Sequence, residues 1–278
     1  MAAMKPPVSC ILVTRDRPAF FRQALRCYSS QKYPAKQLIV VDDGATAVGD
    51  LCSGVPDVKY IRLTSPAPTG TKLNIGIEAA RADVLQKLDD DDFYAPGFLS
   101  AAVRRLQRAR REDTLVAWCC FLVLIARDRQ LYFSGHGWKA GGTLCFRRSL
   151  WARRPFRDLY GSSDSWFIRD SEPYLERVCD AGQYLLVRHG ANTWRRIDGF
   201  GAAENYFRLR PSTRRIRDVV GPQDAPFYEA LMRAPEMRAK RSEPAKRRAS
   251  GAHPPACGRA RAPSPRTRRR PNRRSRRR

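Results

Sequence analysis

Four consecutive carboxylates, Asp89 to Asp92, close an apolar stretch that runs from Val84 to Leu88. Such a run is costly to hold together unless a cation lies among the charges. Hard oxygen ligands favour Mg2+ or Mn2+, and those ions are usually shared with phosphates. A solvated loop or a helix N-terminus can carry the same composition, so position has to separate the two readings. Two further acidic features also sit at the ends of short apolar runs. Asp16 follows Val8 to Val13, and Asp42-Asp43 follows Leu38 to Val41. In an open α/β sheet, ligands collect beyond the carboxyl ends of the strands. Acids at three such ends point to a phosphate-bearing ligand held together with a divalent cation.

The elements that must position these acids alternate along the chain. Val8–Val13 is a continuous apolar run, as in a strand covered on both faces. Asp16 and Pro18 then read as a cap and a first helical position, with Phe21, Ala24, Leu25 and Tyr28 at helical spacing. Leu38–Val41, Val58–Leu63 and Val84–Leu88 supply further strands. Leu73, Ile77 and Ala80 form one helical stripe, and Leu99, Val103 and Leu106 a second that opens at Pro96. Alternation of this kind predicts a mostly parallel sheet flanked by helices. From Leu115 the pattern changes. Leu115–Ala126 reads as one buried central strand, in a hairpin with Leu131–Phe133 across the polar run Arg127–Gln130. A strand is predicted for Thr143–Phe146, a helix around Pro173–Ala181 ending at Gly182, and a last strand for Tyr184–Arg188, followed by His189.

The stretches Val8–Gly44 and Lys72–Pro96 resemble the N-terminal signatures of family 2 glycosyltransferases. The combination strand, TRDRP, helix, VVDDG, N-x-G, LDDDD and Pro is specific as a set, and each piece alone is weak. The resemblance continues through Gly141–Phe156, Gly161–Asp170 and Val187–Thr193, covering residues 8 to 195. It implies an α/β, Rossmann-like GT-A fold over residues 1–233, with a nucleotide-sugar-binding half over 1–113 and an acceptor half over 114–233. The implied activity is metal-dependent, inverting transfer of a sugar from a nucleotide-sugar donor, a UDP-sugar in the first place, to an acceptor hydroxyl. The acceptor, a glycan, lipid or protein, is left open.

The resemblance also assigns residues. Asp43 would accept a hydrogen bond from the donor's base, with Asp42 the alternative. Asp16, Lys72, Asn74, Asp89, Gly141 and Gly142 would complete the donor side. Asp89 and Asp91 match the D-x-D pair: Asp89 would face ribose or metal-bound water, and Asp91 would bind Mn2+ or Mg2+ directly. Asp90 and Asp92 would be supporting and capping groups. His189 would complete the metal shell or, alternatively, be structural at a strand end. Asp164 would be the catalytic base. Ser163 stands where relatives often have Glu, and Leu73 where an Arg is common, so Lys72 would take over that diphosphate contact. Trp138, Trp166 and Trp194 can stack on sugar rings or pack internally, with Trp166 the acceptor-platform candidate.

Charge and cysteines set the remaining bounds. The formal charge of +26 is uneven: residues 238–278 hold 17 Lys or Arg against one acid, Glu243, with six prolines and no Val, Ile, Leu, Phe, Trp or Tyr. Such a tail cannot bury enough apolar surface to offset its ordering entropy, and 234–278 reads as disordered. It would contact an anionic membrane or polymer rather than a specific nucleic acid, because it lacks aromatic stacking residues. The face Arg104, Arg105, Arg108 and Arg111 is a solvated surface or a second such contact. The longest apolar run, Leu115–Ala126, is too short to cross a bilayer, and the first residues do not read as a secretory signal. The eight cysteines include no C-x-x-C pair, and adjacent Cys119 and Cys120 would point to opposite faces of a strand. No zinc site or disulfide framework is expected, and a reduced cytoplasmic location, at most peripheral to the inner face of the membrane, fits. Rival classes are a nucleotide-sugar binder without catalysis and a polyanion-binding protein acting through the tail.

Overall fold

The computed structural model describes residues 5–192 and 209–234. The apolar runs of the first half become parallel strands. β1 (Val8–Thr14) lies between β2 (Lys36–Asp42) and β4 (Val84–Asp89), and β3 (Val58–Arg62) pairs outside β2, all in parallel. β9 (Cys145–Arg147) runs antiparallel between β4 and β6 (Leu115–Cys120), and β10 (Leu175–Cys179) closes the far edge parallel to β6. The seven strands lie in the order β10-β6-β9-β4-β1-β2-β3.

Strand alternation feeds two cores, one on each face of this sheet. Cys10, Leu12, Leu38 and Val40 face one core, where α1 (Pro18–Ser29) and α3 (Phe98–Arg108) insert Phe21, Leu25, Leu99 and Val103. Ile11, Ile39 and Val41 face the other, against Leu73 and Ile77 of α2 (Thr69–Glu78), Leu150 of α4 (Arg148–Arg153) and Phe167 of α5 (Ser163–Asp170). Pro18 opens α1 as expected, but Asp16 does not cap it. Arg17 occupies the cap position, and Asp16 has a left-handed backbone, φ 53°.

Three expectations for the second half are corrected. Leu115–Ala126 is two strands in two sheets. β6 ends at Cys120, and β7 (Leu122–Ile125) belongs to a five-stranded sheet ordered β12-β8-β7-β11-β5. The latter comprises β5 (Phe93–Tyr94), β7, β8 (Gln130–Phe133), β11 (Tyr184–Arg188) and β12 (Arg210–Pro211). Both strands are buried on both faces, so nothing in the side-chain pattern marks the switch at Phe121. The β7–β8 hairpin forms as predicted. Residues predicted as a helix around Pro173–Ala181 instead form a 3-10 turn (Glu172–Tyr174) and then β10. Parallel pairing with β6 satisfies this backbone as a helix would, and it uses partners 60 residues away that local spacing does not reveal. Finally, Cys119 and Cys179 are joined by a disulfide, against the expectation of none. A register shift in the β6–β10 pairing removes the alternation on which that expectation rested.

The last described elements, α6 (Ile216–Val220) and α7 (Ala225–Arg233), pack on α1 through Gln23 and Arg26, both hydrogen-bonded to Asp224. Trp194 and residues 235–278 of the basic tail lie outside the described residues.

Candidate active site

At the carboxyl ends of β1 and β2 the acids are heavily engaged. Asp42 is fully buried and accepts hydrogen bonds from Gly44 N (2.8 Å), Val48 N (3.1 Å) and Tyr60 Oη (2.6 Å), with Arg62 at 3.1 Å. Four partners on two oxygens make it the anchor of the β2–β3 connection. Asp43 pairs with Lys72 Nζ at 2.6 Å, with both side chains almost wholly buried, and its other oxygen accepts from Ala67 N at 2.9 Å. Lys72 therefore meets Asp43 here and not an open phosphate site. Asp16 accepts from Ala45 N at 2.6 Å and ties the two strand-end loops together. Asn74 is likewise committed. Its amide donates to Phe156 O (2.8 Å) and accepts from Trp151 Nε1 (2.8 Å) and Phe156 N (3.1 Å), pinning the segment after α4.

The four-aspartate run separates into distinct environments. Asp92 accepts from Val187 N at 2.9 Å and from Tyr184 Oη, which docks the run on β11. Burial, with the charges of Asp91 and Asp89, holds its carboxyl well above the usual range. Asp90 accepts from Thr14 Oγ1 (2.7 Å) and Arg17 Nη1 (3.1 Å); burial pushes it up to about 7, even with Arg17 beside it. Asp89 turns onto Lys87 Nζ, and burial raises it too against that pairing. Asp91 is the exception. Burial alone would raise it, but a hydrogen bond from His189 and the charge of Arg17 hold it below the ordinary carboxylate range. One oxygen, Asp91 Oδ2, receives Arg17 Nη1 at 2.6 Å, Asn192 Nδ2 at 3.0 Å and His189 Nε2 at 3.2 Å.

His189 is set by its neighbours. Its ring stacks on Phe20 of α1 with centroids 4.1 Å apart, and Nδ1 accepts from Ala191 N at 3.2 Å. Nε2 is the ring nitrogen that faces Asp91. Asn192 folds back to accept from His189 N at 2.6 Å. Asp91 and His189 thus converge on one point, whereas Asp89 points elsewhere. Among the described residues these three do not bring their ligand atoms within 4.8 Å of one another. Two protein ligands completed by phosphate oxygens is a usual arrangement for Mg2+ or Mn2+. The donor set fits such an ion, and the Arg17 guanidinium shows that Asp91 accepts a cation.

The turn Gly141–Thr143 carries the remaining contacts. A Cβ at Gly142 would lie 2.7 Å from Tyr184 Oη, 2.8 Å from Asp89 Oδ2 and 2.9 Å from Asp92 Oδ2. A Cβ at Gly141 would overlap the carboxylate of Asp164. Close approach of buried groups requires glycine at Gly142, whereas at Gly141 the Asp164 side chain would have to shift; the turn brings Asp164 and the aspartate run to adjacent sites. Asp164 stands in the first turn of α5, with Oδ1 accepting from Ser165 N at 2.7 Å. Trp166 is half-buried between two guanidiniums, Arg157 at 4.1 Å and Arg169 at 4.9 Å from its ring centre. Trp138 is half-buried, with Nε1 donating to Ser134 O at 3.0 Å.

Arg17, Lys87, Tyr184 and Asn192 were not anticipated from the sequence. Lys87 is buried on β4 and feels Asp89 and Asp164 together, and these hold its ammonium above the ordinary range despite burial. A lysine inside an otherwise buried strand was the available signal. Arg17 had a signal only in its place within TRDRP, and nothing local links Asn192 or Tyr184 to the aspartates.

A mostly parallel sheet flanked by helices, with carboxylates at the ends of β1, β2 and β4 and a glycine turn facing the last of them, defines a GT-A-type architecture. The profile of Glycosyl transferase family 2 matches residues 9–154, and the chain belongs to that family. Curated relatives include an uncharacterized glycosyltransferase of Haemophilus influenzae, 30% identical over 96 residues (32% of this chain, 38% of the relative), and YwdF of Bacillus subtilis, 25% identical over 104 residues (37% and 39%). The matched region thus spans about two fifths of those relatives. Among solved structures, Staphylococcus aureus TarS in complex with UDP-GlcNAc superposes with a TM-score of 0.54 at 14% identity, covering 67% of this chain and 60% of TarS. Mannosyltransferase PcManGT from Pyrobaculum calidifontis, in complex with GDP-Man and Mn2+, superposes with a TM-score of 0.54 at 17% identity, covering 82% and 74%.

Proposed function

We propose that this protein transfers a sugar from a nucleoside-diphosphate sugar, a UDP-sugar in the first place, to an acceptor hydroxyl, with inversion and with dependence on Mn2+ or Mg2+. The observation that carries the reading is the contact of one two-glycine turn with both Asp164 and Asp89. The nearness of the two carboxylates supports a donor-side role for Asp89 and an acceptor-side role for Asp164. Asp91 and His189 would hold the ion, which when bound supplies positive charge to the departing diphosphate. Asp164 takes the proton of the attacking hydroxyl. Its Oδ1 is fixed by Ser165 N, which orients the carboxylate before substrate arrives. Lys87 adds a buried positive charge between Asp89 and Asp164 and so limits their mutual repulsion. Asp43 and Lys72, as a buried pair, shape the base pocket, and Trp166, its ring engaged by Arg157 and Arg169, would meet the acceptor with its edge. The complexes of TarS with UDP-GlcNAc and of PcManGT with GDP-Man and Mn2+ support a nucleotide-sugar donor.

The test is a screen of the purified chain against UDP-, GDP- and TDP-sugars with Mn2+, reading nucleotide release. Release should stop in EDTA, return with Mn2+ or Mg2+, and stay absent in Asp91→Ala whichever ion is added. Full release in chelator removes the metal from the mechanism.

Among the described residues no helix is long and apolar enough to cross a membrane. The basic residues 234–278 would hold the protein against an anionic membrane or polymer. Salt-sensitive binding to anionic vesicles, lost when the chain ends at Arg233, is the expected result.

A further inference from the structure

A cluster of three cysteines lies outside the machinery described above. β6 and β10 pair in register from Leu115 opposite Leu175 to Trp118 opposite Val178, and then the register jumps so that Cys179 faces Cys120. Cys119 is the extra residue of a bulge, and a bulge re-aims the side chains on either side of it. As a result the sulfurs of Cys119, Cys120 and Cys179 all lie within 4.8 Å of one another. Cys119 and Cys179 are bonded, with Cα atoms 5.5 Å apart, and Cys120 is a free thiol. Cys119 and Cys120 are buried, while Cys179 is exposed on the edge strand. The bond therefore joins an exposed residue to a buried one, with a spare buried thiol within 4.8 Å. No second cysteine pair forms among the described residues.

We propose that Cys179, Cys119 and Cys120 form a thiol–disulfide exchange site whose co-substrates are a low-molecular-weight thiol and its disulfide. In the opening direction a small thiolate attacks the sulfur of Cys179, the exposed residue of the pair. The Cys119–Cys179 bond breaks, a mixed disulfide forms on Cys179, and Cys119 leaves as a thiolate that takes a proton from water. A second small thiolate attacks the small-molecule sulfur of that mixed disulfide, releasing Cys179 as a thiolate and forming the small disulfide. Two electrons have then passed from two small thiols to the protein. In the closing direction the Cys179 thiolate attacks a small disulfide and expels one thiolate. Cys119 then attacks Cys179 and expels the second. Cys120 is close enough to replace Cys119 in that step. Burial, aided by the charge of Asp180, holds the Cys120 thiol above its ordinary range, which keeps it protonated and favours Cys119.

The site bears on the active-site frame. β10 is an edge strand that follows α5, which carries Asp164, and precedes β11, which leads to His189. The carbonyls of Trp118 and Cys119 accept from Ala140 N and Trp138 N, both at 3.0 Å, and this segment continues into Gly141–Gly142. Opening the bond removes the covalent tie between this edge strand and β6 and leaves the backbone pairing to hold it.

The experiment equilibrates the full chain in glutathione buffers of graded ratio, quenches with acid, alkylates, and maps peptides without reduction by mass spectrometry. The expected result is a two-electron loss of the Cys119–Cys179 linkage, with glutathione adducts confined to Cys179. Cys120→Ser should leave the transition in place, Cys119→Ser should give a Cys120–Cys179 linkage, and Cys179→Ser should abolish linkage and adduct alike. Hydrogen exchange in residues 175–179 of the wild-type chain should rise on opening. Cys119 and Cys179 found as unmodified thiols in every buffer would overturn the proposal. So would a stoichiometric zinc ion, released by alkylating the three thiols, because it would assign the cluster to a metal.

Discussion

Arg17 Nη1 lies 2.6 Å from Asp91 Oδ2 and 3.1 Å from Asp90 Oδ1, so one guanidinium bridges neighbouring carboxylates across more than 70 residues of chain. Arg17 therefore stands where a divalent ion approaching Asp91 must compete with it.

From this pair we expect Arg17→Gln to bind Mn2+ more tightly in the absence of donor. Removing one charge-assisted contact, about 1.4 kcal/mol, corresponds to about tenfold in the dissociation constant. Titration calorimetry on the donor-free protein measures it. An unchanged or weaker affinity would mean that Arg17 supports the ion instead of competing with it.

Asp164→Asn is nearly isosteric and keeps an oxygen to accept from Ser165 N, so fold and donor binding should persist. The amide cannot take a proton, and turnover should fall by about 10²–10⁴. If Asp164 were only capping the first turn of α5, turnover would stay near normal. Asp170 and Glu172 would then be the next carboxylates to test, although Asp170 is paired with Arg157 and Glu172 with Lys139.

Gly141→Ala places a methyl group on the Asp164 carboxylate. Asp164 is half-buried and can move, so the melting temperature should change little. The displaced base should cost up to about 10²-fold in turnover. A large loss of stability with unchanged turnover would give the contact a packing role only.

Lys72→Met leaves Asp43 buried without its cation, and breaking such a pair costs about 3–5 kcal/mol. The loss should appear in denaturant unfolding of the donor-free protein. Were Lys72 instead a diphosphate ligand with little structural role, stability would hold and donor affinity alone would fall.

Much of the first half was legible in the sequence because its signals are local. Apolar runs of strand length, Pro18 at a helix start, and acids directly after Val41 and Leu88 sit within a few residues of the features they specify. Chain order then carries those acids to the carboxyl ends of parallel strands, whatever the distant contacts. The Gly141–Gly142 pair and Asp164 were also readable, through resemblance. Their mutual contact was not, because it depends on how α5 lies against β9 and the turn before it.

Tertiary structure decided which acid does what. Four aspartates in a row look alike in one dimension, yet Val187 and Tyr184 claim Asp92, Thr14 claims Asp90, Lys87 claims Asp89, and Asp91 is left with Arg17, His189 and Asn192. Each assignment is a competition among buried donors from separate elements, settled by which strands lie side by side. The same reason governs Asn74, whose amide is taken by Trp151 and Phe156, and the segment Leu175–Cys179, which is a strand because β6 is there to pair with it. The bulge at Cys119 is likewise a property of that pairing. Sequence alone determined the alternation of strands and helices in the first half and the kinds of groups at the strand ends; long-range pairing determined their partners, because a buried polar group takes whichever donor the fold brings within reach.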